Sequence, residues 1–396
     1  MRNTLISACI TLSFLVLSCS ILQGPYESSP RDEEYKGKIV NFVKNHEDAN
    51  GIMSAQYILE NKSEKLRKNQ YTRNGYRFSG WSETPTGSVV YQDEDVYTMT
   101  TLDDEVFLYA IWSPSGTNWI RTTASATFSP RNSHTSVVFD NKIWVIGGEN
   151  GGTLLNDVWS SSDGIAWDQV TSNAEFTKRS MHTSVVFDNK IWVIGGYDGN
   201  AKNDVWYSGN GVNWTSATTN AVLSPRWLHT SVVFDNKIWV IGGSNGAPMK
   251  DVWYSSNGVN WASATTNAAF QDREDHTSVV FDNKIWVIGG TDGLPQNDVW
   301  YSSDGASWTS SVQSVPFTIR QSFTSIVMHG LIWIIAGTDG TRKNDVLSSV
   351  DGENWTTTSS SAGFTKRFGH SSVVFGNKIW VIGGYDGAYK NDVWHD

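Results

Sequence analysis

The sequence predicts an all-β chain: a closed ring of six four-stranded sheets, sealed by an N-terminal strand and preceded by a small β-rich module. Three observations predict it. The stretch 182–196 (His-Thr-Ser-Val-Val-Phe-Asp-Asn-Lys-Ile-Trp-Val-Ile-Gly-Gly) recurs letter for letter at 134–148, 229–243 and 276–290, with altered copies at 323–337 and 370–384. The Ile before its Trp falls at 143, 191, 238, 285, 332 and 379, a spacing of 48 once and 47 four times. A fixed period in this range denotes stacked supersecondary units. Finally, 17 of the 20 Trp recur at fixed places in these units.

Each unit reads as four short strands. In the second copy the first is 182–187, β-branched and aromatic, followed by Asp188-Asn189, a two-residue hairpin turn. Residues 190–194 form the second strand, ended by Gly195-Gly196. The third is 203–208 (Asn-Asp-Val-Trp-Tyr-Ser), and Gly209-Asn210-Gly211 turns the chain into the fourth, 213–218. Short strands divided by Gly, Asn and Asp turns form a meander. Four such strands cannot bury both faces alone, so neighbouring units must stack.

Trp placement supports stacking. The second strand carries Trp144, Trp192, Trp239, Trp286, Trp333 and Trp380. The third carries Trp159, Trp206, Trp253, Trp300 and Trp394, with Leu347 in the remaining copy. The fourth carries Trp119, Trp167, Trp214, Trp261, Trp308 and Trp355. A Trp repeated in nearly every copy packs between units, because a ligand needs an aromatic only once or twice.

Gly-Gly after an apolar strand, then Asn-Asp-Val-Trp, then a Trp in the closing strand, resembles a kelch β-propeller over about 115–396. The strand count decides how such a ring closes. The first fourth-type strand, 118–123, precedes any first strand, and the last unit stops after its third. The Trp119 strand must therefore complete the C-terminal blade, which removes the open edges and gives six blades. The propeller is assigned 114–396.

Ahead of the ring, residues 1–18 read as a secretory signal, with Arg2 followed by the apolar run 5–17, too short for a comfortable membrane span. Val16-Leu17-Ser18-Cys19 resembles a bacterial lipobox, which implies lipidation at Cys19. Cys9 falls within the signal, so the mature chain is expected to hold no disulfide. Residues 19–35, polar with two Pro, read as a tether. Residues 36–113 form the separate module, with strands expected at 38–43, 71–81, 88–91, 96–99 and 106–112. Its Gly-Tyr-Arg-Phe-Ser-Gly-Trp core (75–81) and Leu-Tyr-Ala-Ile-Trp ending (108–112) resemble the internalin B-repeat, or Listeria–Bacteroides repeat. That family implies surface display, often as a spacer, with Trp81 and Trp112 in the core.

Strand alternation sorts the connections. The one–two and three–four turns lie on one face and are monotonous. The two–three and four–one loops lie on the other and vary, the pattern of a binding face. The chain enters the ring at a fourth strand, on the monotonous face, so lipid and module are expected opposite the binding face. At the mouth of the variable face recur Arg131, Arg179, Arg226, Arg273, Arg320 and Arg367. They are candidate ligands for carboxylate or sulfate groups, or alternatively ties to a neighbouring blade. Three residues on come His134, His182, His229, His276 and His370, with Phe323 breaking the series. The two residues between vary, and Trp227, Phe368, Glu274 and Asp275 among them, with Tyr197 and Tyr385 from the two–three loops, are candidate partner contacts.

Formal net charge −10 argues against a general nucleic-acid binder. No cofactor is expected. A copper-radical oxidase of this architecture needs a Tyr–Cys crosslink, and only Cys19 survives processing. A sialidase-like reading rests on 161–167 and 302–308, which resemble its Asp-box one residue short; these suit a tight hairpin instead. A kelch-type epimerase or mutarotase would draw on Arg273, Glu274, Asp275 and His276. The Asp-Gly loops lack the spaced carboxylates of a calcium site, and the His residues recur at ring spacing, so no metal is expected. The preferred reading is a lipid-anchored protein of the bacterial envelope whose ring binds a protein or glycan. The sugar-modifying enzyme is the alternative.

Overall fold

The computed structural model describes residues 37–99, 105–312 and 318–396. The signal, Cys19, the tether and part of the loop 312–319 lie outside the described residues. The architecture is all-β: six four-stranded antiparallel sheets and a smaller N-terminal β module.

In each blade the strands run one to four from inside to outside, as in Thr183–Phe187, Lys190–Tyr197, Ala201–Ser208 and Thr215–Thr218. The innermost strands meet their neighbours all round the ring, the last against the first. Closure follows the strand count: Ile120–Thr123 pairs antiparallel with Tyr389–His395, Trp394 opposite Arg121 and His395 opposite Ile120. The sixth sheet is thus built from both ends of the ring.

The repeated residues each do one job. The Asp188-Asn189 turn has φ of 49° and 52°, the doubly left-handed geometry that matches strand twist in a two-residue hairpin. Trp192 is 3% exposed, and its Nε1 donates to the Phe187 carbonyl at 2.8 Å. Its ring lies under Gly258 of the next blade, where a Cβ would come within 2.0 Å. The same contact joins Trp144 to Gly211 and Trp380 to Gly164, so the Trp is a wedge between blades. The fourth-strand Trp214 meets Phe176 edge-on at 5.1 Å. In the Asp-box-like turn, Asp163 Oδ1 accepts from Ile165 and Ala166 N–H, and Ser161 Oγ accepts from Gly164 N–H. It is a backbone clasp.

Closure replaces one of these clasps. Where the other blades place Ser161 or its equivalents, the sixth places Asp396. Its carboxylate accepts from Gly116 N–H at 2.7 Å and from Ile379 N–H at 2.7 Å. A side chain thereby holds together what a covalent turn joins elsewhere.

The module has a sheet in the order Gln56–Leu59, Gly37–Val43, Glu105–Pro114, Tyr76–Ser82, the central pair parallel, and a two-stranded ribbon of Ser63–Lys65 with Val96–Thr98. Trp81 is fully buried at its core, and Trp112 packs against it half-buried. Residues 88–91 form no strand; Tyr91 bridges only to Trp81. The strands Gln56–Leu59 and Ser63–Lys65 lie outside the predicted ones: four and three residues are too few to show a period, and the second is wholly polar and exposed.

The module docks on the turn end of the ring. Gly75 N–H donates to the His329 carbonyl at 3.0 Å, Ser115 Oγ meets His329 Nδ1 at 2.8 Å, and Arg77 Nη1 donates to the Asp396 carbonyl at 2.7 Å. His329-Gly330 stands where the first four copies have Asp-Asn and the sixth has Gly376-Asn377. The worn fifth copy is the one that receives the module.

Candidate functional site

The end of the ring opposite these turns is built from six equivalent slots. In each, the residue after the recurring Arg makes an isolated bridge to a residue at the end of the second strand: Asn132 with Glu149, Ser180 with Tyr197, Trp227 with Ser244, Glu274 with Thr291, Gln321 with Thr338, Phe368 with Tyr385. The backbone pairing is the same in all six; the side chains differ in every slot.

The arginines do not line this rim. All six are at most 1% exposed. Arg226 is typical: its fork grips Asp251, Nη1 to Oδ1 and Nη2 to Oδ2 both at 2.8 Å, and Nη1 also donates to the Gly242 carbonyl at 2.8 Å. Its main-chain N–H donates to Lys202 of the preceding blade. Arg131, Arg179, Arg273, Arg320 and Arg367 repeat the arrangement on Asp157, Asp204, Asp298, Asp345 and Asp392. The expectation that they contact ligand is therefore corrected. Each is a tie between blades, with its charge neutralised inside the frame. The partner is the Asp two residues before the third-strand Trp or Leu347, in Asn-Asp-Val-Trp, Asn-Asp-Val-Leu or, for Asp251, Lys-Asp-Val-Trp, and Asp251 also accepts from the Trp253 indole N–H at 2.7 Å. The Asn fixes the following loop, as Asn203 Nδ2 does on the Ala221 and Leu223 carbonyls.

Inside the slots lies a closed ring of main-chain hydrogen bonds. Ser133 N–H donates to Gly369, Met181 to Ser133, Leu228 to Met181, Asp275 to Leu228, Ser322 to Asp275 and Gly369 to Ser322, at 2.8–3.3 Å. All six residues have φ between 51° and 61°. Left-handed backbone is costly for non-glycine residues, and here the circle of bonds holds it. Beneath this ring the innermost strands present Thr and Ser hydroxyls. Thr135 Oγ1 meets His182 Nε2 of the next blade at 3.1 Å, and Thr183 meets His229 at 3.0 Å. Burial, with the Arg179 charge adding, pushes His182 down to about 3, and His276 and His370 likewise fall to about 3. These imidazoles are neutral structural links. Among the described residues no three His, Cys, Asp or Glu are grouped to hold a metal ion.

Together these rings enclose a central cavity of about 550 Å³. Of the predicted contacts, Phe368 and Asp275 line it. Glu274, Trp227, Tyr197 and Tyr385 do not; they sit in the slots around it. The aromatics form two clusters. Tyr197 meets Trp227 at 5.4 Å, and Phe368 meets Tyr385 at 5.5 Å, extended by Tyr389 at 5.2 Å from Tyr385. The sequence reading missed Tyr389 and Glu149, which lines the cavity and accepts from the Tyr389 hydroxyl at 3.3 Å. Both were visible as departures from the repeat, Tyr389 standing where the second copy has Ala201. Burial pushes the Asp275 carboxyl up to about 7, against a hydrogen bond from the Ser322 hydroxyl and with the Glu274 charge adding. Of the acid–base set suggested for a sugar-modifying enzyme, Arg273 is committed to the frame, Glu274 sits in its slot, and Asp275 and His276 line the cavity, His276 as a neutral link to Thr230.

The KLHDC2/KLHL20/DRC7 Kelch-repeats domain matches residues 92–243 and 181–384, overlapping windows that together span 92–384. No curated protein matches the chain at a significant level.

Proposed function

The chain belongs to the kelch-repeat family, and on that premise we propose that its slotted face docks a protein partner while the rest of the molecule holds that face away from a bacterial membrane. One observation carries the reading: six slots share one backbone pairing, yet each bears a different side-chain pair. A frame kept constant around varied contacts serves recognition rather than stability. Two aromatic clusters supply the large, rigid anchors that dominate docking energies.

The module meets the ring at the end remote from the slots, through Gly75, Arg77 and Ser115. In this reading it acts as an internalin B-repeat spacer, Cys19 carries the lipid, and residues 20–35 span the gap. The protein then sits in the cell envelope with its docking face outward. A glycan partner would use the same aromatics. A sugar-modifying enzyme finds less support, because its Arg and His are committed to the frame.

The test is capture of a partner from envelope extracts by the immobilised chain. Trp227→Ala with Phe368→Ala should abolish specific capture while leaving the melting temperature within a few degrees, since both side chains are half-buried rim residues. Undiminished capture refutes the docking role. Incorporation of an alkynyl fatty acid should be lost in Cys19→Ala; its persistence refutes the anchor.

A further inference from the structure

We propose that the central cavity receives a lysine or arginine side chain of the docked protein, which makes it a cation-accepting socket. This rests on the docking reading above and specifies its chemistry.

Charge is the first argument. Among the described residues no Lys or Arg lines the cavity, whereas Glu149 and Asp275 do, and they stand on the first and fourth blades, across the ring from each other. The guanidiniums nearby offer an anion nothing, because each is already saturated by a carboxylate. The imidazoles lining the wall are neutral. A carboxylate or sulfate entering here would meet no cation in the lining, only neutral groups, Glu149 and, once ionised, Asp275.

Shape and polarity form the second. Met181, Leu228 and Phe368 supply an apolar band at the mouth, and hydroxyls such as Thr183 and Ser231 lie deeper. A long aliphatic stem with a charged, donor-rich head fits that sequence of surfaces: methylenes against the band, N–H donors on hydroxyl and carboxylate oxygens. A cavity of about 550 Å³ accommodates it.

The third observation is independent of both. Asn132 lines the cavity at only 8% exposure, yet its Oδ1 has no hydrogen-bond partner. A buried unsatisfied amide is costly and calls for an explanation. Among the described residues no group supplies that partner, and a ligand N–H reaching in beside Glu149 would.

The experiment uses the full chain and four capped tripeptides, N-acetyl-Gly-X-Gly-amide with X lysine, arginine, glutamate or norleucine, with spermidine as a free cation, by calorimetry and ligand-observed NMR. Lysine and arginine peptides should bind, weakening as salt rises; the glutamate peptide should not, and norleucine should bind about tenfold more weakly. Asp275→Asn and Glu149→Gln should each weaken the lysine peptide about tenfold without unfolding the ring. Equal binding of the glutamate peptide overturns the proposal, as does indifference to both substitutions. Spermidine binding without peptide binding overturns the protein source. If partner capture survives loss of Trp227 and Phe368, the docking role itself fails; if capture needs them but the lysine peptide does not bind, only the socket fails.

Discussion

Replacing Asp251 by Ala tests whether the recurring Arg is frame or ligand contact. The change deletes three bonds: both from the Arg226 fork and one from the Trp253 indole. Arg226 is 0% exposed and keeps only the Ser224 and Gly242 carbonyls. Leaving one charge of a buried pair uncompensated costs about 3–5 kcal/mol, a large share of the ~5–15 kcal/mol that holds a domain folded. Arg226→Met should cost less, because Asp251 keeps 17% side-chain exposure and finds water. The double variant should recover about 2 kcal/mol relative to the sum of the singles. Urea unfolding at pH 7, followed by Trp fluorescence, measures all three. The cost should also shrink on acidification. Burial raises the Asp251 carboxyl, but the Arg226 bond and charge outweigh it and hold it below its ordinary value. A depressed folded pKa gives stability that is present above the unfolded value of about 3.9 and lost as pH falls through the folded one. An Asp251→Ala protein within 1 kcal/mol of wild type, by that roughly estimated scale, refutes the frame role. So does strict additivity of the two singles.

Two further outcomes follow from the geometry. Asp275 has the opposite sign: its folded pKa of about 7 lies above the unfolded value, so its contribution is most favourable at low pH and is lost as pH rises through 7. Asp275→Asn should therefore stabilise the protein above pH 7, by about 1–2 kcal/mol after discounting for its partial exposure, and much less at pH 4; thermal melts across that range check it. Asp396→Ala removes the two bonds that clasp Gly116 and Ile379 and should cost about 2–4 kcal/mol. Hydrogen exchange should quicken first in Ile120–Thr123, and Asp396→Asn should restore part of the protection.

Much of the fold was legible because it is written six times. The period gave the blade count, the orphaned Trp119 strand gave the closure, and the repeated indoles gave the wedge. Repetition also left the role of Arg226 and its equivalents open between a ligand contact and a tie to the neighbouring blade. Six such cations near a mouth suit either role in sequence; the structure pairs each guanidinium with the Asp of its own blade, while its main-chain N–H reaches the preceding one. Placement of the rim was legible from strand direction. Which rim residues reach the cavity was not, because that depends on the left-handed ring at Ser133, Met181 and Leu228, and φ leaves little mark on sequence when non-glycine residues adopt it. The worn fifth copy was legible as a departure, but not as the module's seat, since His329 acquires that meaning only beside Gly75 and Ser115.

The left-handed ring has an engineering consequence. Its bonds run wholly through peptide groups, so the five side chains it carries, with Gly369 as the sixth position, are interchangeable fittings on a common mount. Moving the Glu274-Asp275 pair to another blade would rotate the socket's negative pole by a known step around the axis while every peptide bond kept its neighbour. A lineage of such proteins can be re-addressed to new partners by exchanging a handful of codons, with the load-carrying tryptophans untouched.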